Sequence, residues 1–142
     1  MKTRKTSAIF LCMLTMAVLT PSVAKTQSLA GNLTLDEKVK KFLSDHSRSW
    51  YDMNIPASDG QLLYNLILKG NYKRALEIGT STGHSGIWIA WALSKTGGKL
   101  ITIDIDMGRF NTAVENFKKA GLSEYIDARL ADAHSLVKEL KG

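Results

Sequence analysis

The sequence has very little cysteine: a single residue, Cys12, in 142. One thiol cannot form a disulfide within the chain or a cysteine-based zinc site. Long runs of basic residues are lacking too, because the 19 Lys and Arg are scattered along the chain. The formal charge of +6 therefore comes without the basic stripe and interleaved aromatic residues of a nucleic-acid-binding surface. We expect no nucleic-acid partner.

A hydrophobic run long enough for a stable membrane span is also missing. The apolar run at residues 8–19 is shorter than the roughly 20 residues that a helix needs to cross a bilayer. It follows a basic start and precedes small residues at Ser22 and Ala24, an order typical of a cleaved export signal. We expect residues 1–24 to be a leader, residues 25–33 a polar linker, and the protein to be exported. A membrane-anchored or cytoplasmic protein is the alternative.

Residues 34–142 have the pattern of a folded domain. Capping boxes at 34–37 and 58–61 predict two helices, the second ending at Lys69-Gly70. From residue 75 onward, short apolar strands alternate with helical stripes. The predicted strands are 75–78, 99–104 and 126–130. Repeated strand–helix units indicate a parallel sheet with right-handed crossovers and helices on both faces. The predicted fold class is a Rossmann-like α/β domain.

Polar residues stand at the ends of the three predicted strands, where open parallel sheets bind ligands. The first strand runs into EIGTSTGHSG at 77–86. Gly79 and Gly83 permit a tight turn, and Ser85 falls in the first turn of the next helix, which favours an anion. The second strand ends at Asp104, whose carboxylate can accept hydrogen bonds from two ribose hydroxyls. The third ends at Asp132, which could accept one from an adenine amino group.

The glycine turn separates two classes of cofactor that share the ribose acid. Dinucleotide enzymes have G-x-G-x-x-G, whereas Ser81 stands at the third position here and Glu77 precedes the first glycine. A carboxylate so close repels a pyrophosphate and suits a cation, such as the ammonium group of S-adenosylmethionine (SAM). Each residue taken alone has an ordinary structural explanation, as a turn glycine or a helix cap. Polar groups at three successive strand ends are harder to explain in that way.

With these motifs, the sequence resembles the cation-dependent O-methyltransferase family that includes catechol O-methyltransferase and the caffeoyl-CoA enzymes. The resemblance lies in ALEIGTSTGHSG at 75–86, LITIDID at 100–106 and FNTAVENFKKAGL at 110–122. Upstream, Met53-Asn54-Ile55-Pro56 followed by Gly60-Gln61 is similar to the segment before the core in catechol O-methyltransferase. His84 stands where the family often has tyrosine, and we expect its ring to pack at the helix start.

The resemblance implies a SAM-dependent O-methyltransferase that acts on a small, hydroxylated, aromatic substrate. Glu77 would bind the ammonium group and Ser85 the carboxylate of the methionine part, while Asp104 would bind the ribose. The residues that the resemblance places at the cofactor are Ile55, Glu77, Gly79, Thr80, Ser85, Asp104 and Asp132, with Met53 on the substrate side.

The C-terminus departs from the family pattern. In the family, the next strand ends in an aspartate that binds a divalent cation such as Mg²⁺, soon followed by a lysine, and the sequence stops at Lys141-Gly142. The resemblance therefore predicts a sheet that is incomplete at the C-terminus, with no catalytic or metal-binding residue assignable. Residues 75–78 would then form an apolar sheet edge, which invites self-association. The alternatives are a non-catalytic SAM-binding or interaction module and a fragment of a dinucleotide-dependent oxidoreductase.

Overall fold

The computed structural model describes residues 33–51 and 53–140. The predicted leader and nearly all of the predicted linker lie outside these ranges. The elements are helices α1 (Leu35–Asp45), α2 (Ala57–Gly70), α3 (His84–Thr96), α4 (Met107–Ala120) and α5 (Ala133–Leu136), and strands β1 (Arg74–Ile78), β2 (Lys99–Asp104) and β3 (Ile126–Leu130). Short 3₁₀ turns cover Ser123–Tyr125 and Val137–Glu139. No helix within the described ranges combines the length and hydropathy that crossing a bilayer requires.

The three strands form one parallel sheet in the order β1-β2-β3. The register places Glu77 opposite Thr102, and Thr102 opposite Ala128. Side chains that are paired in this way point to the same face of the sheet. The predicted Rossmann-like parallel arrangement is confirmed, and β1 forms one edge of the sheet that the structure describes.

The long helices α3 and α4 cover the same face of the sheet, because the chain advances in one direction from β1 to β3. On this face Leu100 belongs to the buried core with Ile87 and Phe117, and Ala75 and Ala128 pack against it. We call the opposite side the open face; it carries Leu76, Ile78 and Ile101. Leu76 is 47% and Ile78 is 62% exposed. Helices were expected on both faces, and within the described ranges the long helices of the strand–helix units lie on one.

The ends of α1 and α4 are as the sequence predicts. At α1, the Thr34 N–H donates to Glu37 Oε2 at 2.8 Å and the Glu37 N–H donates to Thr34 Oγ1 at 3.3 Å. This reciprocal pair is the predicted capping box. Gly121 ends α4 in the left-handed region at φ +78°, which glycine adopts without a steric penalty.

The predicted start of α2 is wrong, whereas its predicted end is confirmed. The helix begins at Ala57 with Pro56 as its cap residue, and no side chain caps it. Proline's fixed φ suits the start of a helix, so Ser58 already lies inside the first turn and its hydroxyl bonds Asp59 Oδ1 at 3.1 Å. At the other end the helix stops at Gly70, as predicted, and Asn71 follows it in the left-handed conformation at φ +49°.

Helix α2 packs closely on α3 through Gly60. A Cβ at this position would lie 2.2 Å from Trp88 Cδ1, so the indole ring occupies the space beside the glycine. This contact brings the segment before α2 close to the start of α3, where the glycine turn ends.

Candidate functional site

The carboxylate of Glu77 lies at the end of β1, on the face covered by α3 and α4. It accepts a hydrogen bond from Ser85 Oγ, in the first turn of α3, on Oε1. Thr102 Oγ1, on β2, donates to Oε2 at 2.6 Å. Because the proton of Thr102 is used in that bond, the 2.6 Å contact between Thr80 Oγ1 and Thr102 Oγ1 has Thr80 as its donor. Three hydroxyl groups therefore fix the position of this carboxylate.

The environment of Glu77 favours its neutral form. Burial raises the pKa of Glu77, hydrogen bonds from Ser85 and Thr102 lower it, and the negative charge of Asp104 raises it. No cationic group within the described residues contributes to this shift. A carboxylate that is partly desolvated without a cation nearby is less stable in the charged state, so the site is suited to a ligand that brings a positive charge.

The backbone N–H groups of the glycine turn are used inside the protein. Their bonds run from Gly79 and Thr80 to Ile103 O (2.8 and 3.2 Å), from Ser81 to Asp104 Oδ2 (2.7 Å), and from Gly83 to Thr80 O (2.9 Å). A turn that cradles a phosphate needs such groups pointing at the ligand. These four donors are not available to a pyrophosphate, which argues against a dinucleotide.

Two glycines of the turn have different uses. Gly79 has φ +91°, and nothing lies within 4 Å of the position of a Cβ. The backbone is thus open to close approach by a ligand. At Gly83, by contrast, a Cβ would lie 2.7 Å from the ring of Phe117, so this glycine allows α3 to start directly against α4.

The ends of all three strands line one apolar cavity of about 200 Å³. Its lining residues are Ile78, Gly79, Ile103, Asp104, Ile105, Ala131, Asp132 and Ala133. Asp104 is only 8% exposed, and its second oxygen, Oδ1, accepts from the Asp106 N–H at 2.9 Å. Asp132 is exposed and caps α5, with Oδ1 accepting from the His134 N–H at 3.0 Å. The structure therefore brings Gly79, Asp104 and Asp132 together.

Ile55 lies on a second cavity of about 290 Å³, which is also lined by Trp50, His84 and Trp88. The carbonyl oxygen of Ile55 is 2.9 Å from His84 Nδ1, so the structure joins Ile55 to the start of α3. Met53 is 85% exposed and has φ +60°, an unusual conformation for a residue other than glycine.

Sequence reasoning missed Thr102 and Asn54. Thr102 is a polar residue within the apolar run LITID. A polar residue in a buried strand needs a hydrogen-bond partner, so its position could have indicated a polar site. Asn54 Nδ2 donates to Thr82 Oγ1 at 2.8 Å and Asn54 Oδ1 accepts from the His84 N–H at 3.4 Å. Since these bonds span about 30 residues of chain, nothing local in the sequence indicates them.

A divalent cation has no evident ligand set in the part of the chain that the structure describes. No group of three or more His, Cys, Asp or Glu side chains converges there. The described residues therefore do not fit a metal centre.

Comparison with known proteins gives a consistent result. The sequence model of a family described as O-methyltransferase matches residues 25–142. Caffeoyl-CoA O-methyltransferase 2 from Eucalyptus globulus is 36% identical over 91 residues, which cover 64% of this chain and 36% of the relative. Catechol O-methyltransferase from Niastella koreensis is 33% identical over 88 residues, which cover 62% of this chain and 39% of the relative.

A solved structure is similar over a larger share of the chain. The O-methyltransferase TomG from Streptomyces achromogenes, solved in complex with SAM, aligns with a TM-score of 0.62 at 30% identity, over 75% of this chain and 48% of that one. The chain spans less than two fifths of the length of the two curated relatives. The family match nevertheless covers well over half of the chain, and the resemblance predicted from the motifs is confirmed: this chain belongs to the O-methyltransferase family.

Proposed function

We propose that this chain binds SAM at the carboxyl ends of β1, β2 and β3 and provides the cofactor-binding part of an O-methyltransferase for a small hydroxylated substrate. The observation that carries the proposal is the Glu77 carboxylate, which is half-buried and is fixed by hydroxyl groups beside a turn whose N–H groups are used internally. This combination suits the ammonium group of SAM and disfavours a phosphate.

The methionine part of the ligand has two complementary partners. Its ammonium group donates to Glu77 Oε1 in place of the Ser85 hydroxyl. Ser85 can then donate its proton to the ligand's carboxylate, in the first turn of α3, where the helix dipole favours a negative charge. The two side chains that bond each other in this structure thus exchange partners when the ligand binds.

The nucleoside part fits the cavity at the strand ends. Each oxygen of Asp104 accepts one backbone N–H, and a carboxylate oxygen can accept a second bond, which leaves capacity for two ribose hydroxyls. Gly79 and Thr80 bring the backbone close to the ligand, and Asp132 at the rim accepts from the adenine amino group. Ile55 lies at the methionine end, and the exposed Met53 faces the substrate side.

When bound, SAM supplies a methyl group that is activated by the sulfonium charge. In this proposal the described residues bind and orient the cofactor, and none of them acts as a general base. A divalent cation, where the reaction uses one, is held by groups other than the described residues, which offer no ligand cluster.

Calorimetric titration of the full chain with SAM, with its demethylated product S-adenosylhomocysteine (SAH) and with NAD tests this proposal. We expect one site for SAM or SAH and no response to NAD. Heat of binding with NAD alone would instead support the oxidoreductase alternative. A chain that binds neither cofactor would refute the proposal altogether.

A non-catalytic SAM-binding module is the alternative function for the same site. A methylation assay with a catechol and Mg²⁺ separates the two. Methyl transfer by the chain would exclude the module, whereas tight SAH binding without any transfer would support it.

We further propose that the chain self-associates through the β1 edge and the open face. Leu76 and Ile78 present apolar surface there, next to the unpaired backbone of an edge strand. Sedimentation equilibrium should show association that weakens in the Ile78→Lys variant. Monomeric behaviour of the unmodified chain at high concentration would exclude it.

Export remains a proposal that rests on the order of basic, apolar and small residues in positions 1–24. N-terminal sequencing of the protein recovered from its source should give Lys25 as the first residue. A chain that retains residues 1–24 would favour an anchored or cytoplasmic protein.

A further inference from the structure

The ring of His84 is buried and contacts other groups through its face and through both of its nitrogens. It is 3% exposed and stacks on Trp50 with centroids 4.3 Å apart and planes at 11°. Trp88 Nε1 lies 3.2 Å from His84 Nε2. Because an indole nitrogen can only donate, Nε2 must be an unprotonated acceptor. The ring proton is therefore on Nδ1, where it donates to Ile55 O at 2.9 Å.

The same residue is bound through its backbone. The His84 N–H donates to Asn54 Oδ1 at 3.4 Å, and the amide group of Asn54 donates to Thr82 Oγ1 at 2.8 Å. The upstream segment, residues 53–56, is thus tied to the glycine turn and to the start of α3 by hydrogen bonds from two of its residues. Met53 within this segment has φ +60°, a conformation that persists only where surrounding contacts fix it.

We propose that His84 is a positioning residue for the cofactor site: it holds the upstream segment against the glycine turn, so that Ile55 stands over the methionine end of the ligand and Met53 beside it on the substrate side. This inference rests on the function proposed above. His84 lies directly before Ser85. The first turn of α3 therefore carries both the proposed contact of Ser85 with the ligand's carboxylate and the bond from His84 that holds the upstream segment in place.

Packing alone does not account for the arrangement. A phenylalanine at position 84 would preserve the stack on Trp50 but would leave the Ile55 carbonyl and the Trp88 N–H without partners. A tyrosine has one polar atom, farther from the backbone, and cannot reproduce both bonds. Burial lowers the pKa of His84 and the bond to Ile55 opposes this shift; the net shift favours the neutral ring, which is the only form that can accept from Trp88 while it donates to Ile55.

Three variants of the full chain separate the two bonds and the ring. His84→Phe keeps a stacking ring and removes both hydrogen bonds. His84→Asn keeps a donor at the place of Nδ1, and His84→Gln keeps an acceptor toward Trp88. His46→Phe is the matched control, because His46 Nδ1 also bonds a backbone carbonyl, Phe42 O at 2.8 Å, and its ring stacks on Phe42 with centroids 4.1 Å apart.

Two readouts are needed: SAH affinity by calorimetry, and amide hydrogen exchange of the upstream segment relative to β2. In His84→Phe we expect SAH affinity to fall about tenfold, the scale set by losing one or two buried hydrogen bonds. Exchange should accelerate in the upstream segment and stay unchanged in β2. His84→Asn should recover affinity to within about threefold of the unmodified chain, because it keeps the bond to Ile55, and His84→Gln should not. His46→Phe should match the unmodified chain in both readouts.

The inference is overturned if His84→Phe binds SAH normally, or if all three His84 variants are equally weak and exchange accelerates throughout the sheet, since His84 would then be a general packing residue. If the unmodified chain does not bind SAH, the proposed function fails and the cofactor role of His84 fails with it. Exchange of the upstream segment would still show, in that case, whether His84 holds it.

Discussion

The deep end of the proposed site, at Glu77, and its shallow end, at Asp132, are built differently. Glu77 accepts hydrogen bonds from α3 and β2, and Thr80 supports it from the glycine turn. Asp132 is exposed, and its carboxylate accepts hydrogen bonds from His134 and Ser135 of its own turn. The fold thus commits three elements to one carboxylate and only a local turn to the other. Specificity for the ligand should therefore be decided at the deep end.

Glu77→Gln should have the largest effect and should move binding and stability in opposite directions. Loss of a charge-assisted bond to the ammonium group should weaken SAM binding about 10- to 100-fold. Because burial raises the pKa of Glu77, its carboxylate destabilises the fold at neutral pH, so the variant should melt at a higher temperature at pH 7. Calorimetry and thermal melts test this, with Glu115→Gln on the exposed side of α4 as control. A fall in both SAM affinity and melting temperature would contradict this prediction.

The pH dependence of SAM affinity should reflect the titration of Glu77, whose pKa is raised. A raised pKa means that Glu77 takes up its proton at a higher pH than an ordinary glutamate, and the neutral acid cannot pair with the ammonium group. Affinity should therefore decrease as the pH falls through the raised pKa. The stabilising effect of protonation has the opposite sign: it is present at low pH and lost as the pH rises through that pKa. Titrations over a pH series should give a slope that Glu77→Gln flattens; an unchanged slope would remove Glu77 from the site.

Asp104→Asn should weaken binding and stability together, unlike Glu77→Gln. Its two oxygens accept from the backbone of Ser81 and Asp106, and an amide group can replace only one acceptor. We expect a loss of about 1–3 kcal/mol in the free energy of unfolding and about tenfold weaker SAM binding, from the lost charge-assisted bond to the ribose. Urea unfolding and calorimetry measure the two quantities. Unchanged stability would show that the turn does not depend on Asp104.

Asp132→Ala should have the smallest effect. Loss of a cap on the short helix α5 costs about 1 kcal/mol or less, and one exposed hydrogen bond to adenine should change SAM affinity by less than about threefold. The same two measurements apply. A loss as large as that of Asp104→Asn would mean that the shallow end is as specific as the deep end.

The sequence was sufficient for the parts of the fold that depend on local pattern. Strands β2 and β3 have the predicted bounds, and β1 begins one residue earlier than predicted, because runs such as LITID have the apolar composition of buried parallel strands. The start of α2 was wrong, since Pro56 overrides a capping pattern two residues later. The assembly of the predicted site residues follows from strand order. The hydrogen bond from Ser85 to Glu77 could not be predicted in this way, because it depends on how α3 packs on the sheet.

The close contact between Gly60 and Trp88 should make the proposed cofactor site sensitive to a position on α2 that is not part of it. A methyl group at residue 60 would overlap the indole ring, and the same indole donates to His84. Any side chain introduced there has to displace a group on which the histidine depends. Residue 60 should therefore tolerate no substitution in a functional variant library, although it belongs to a helix remote from the strand ends.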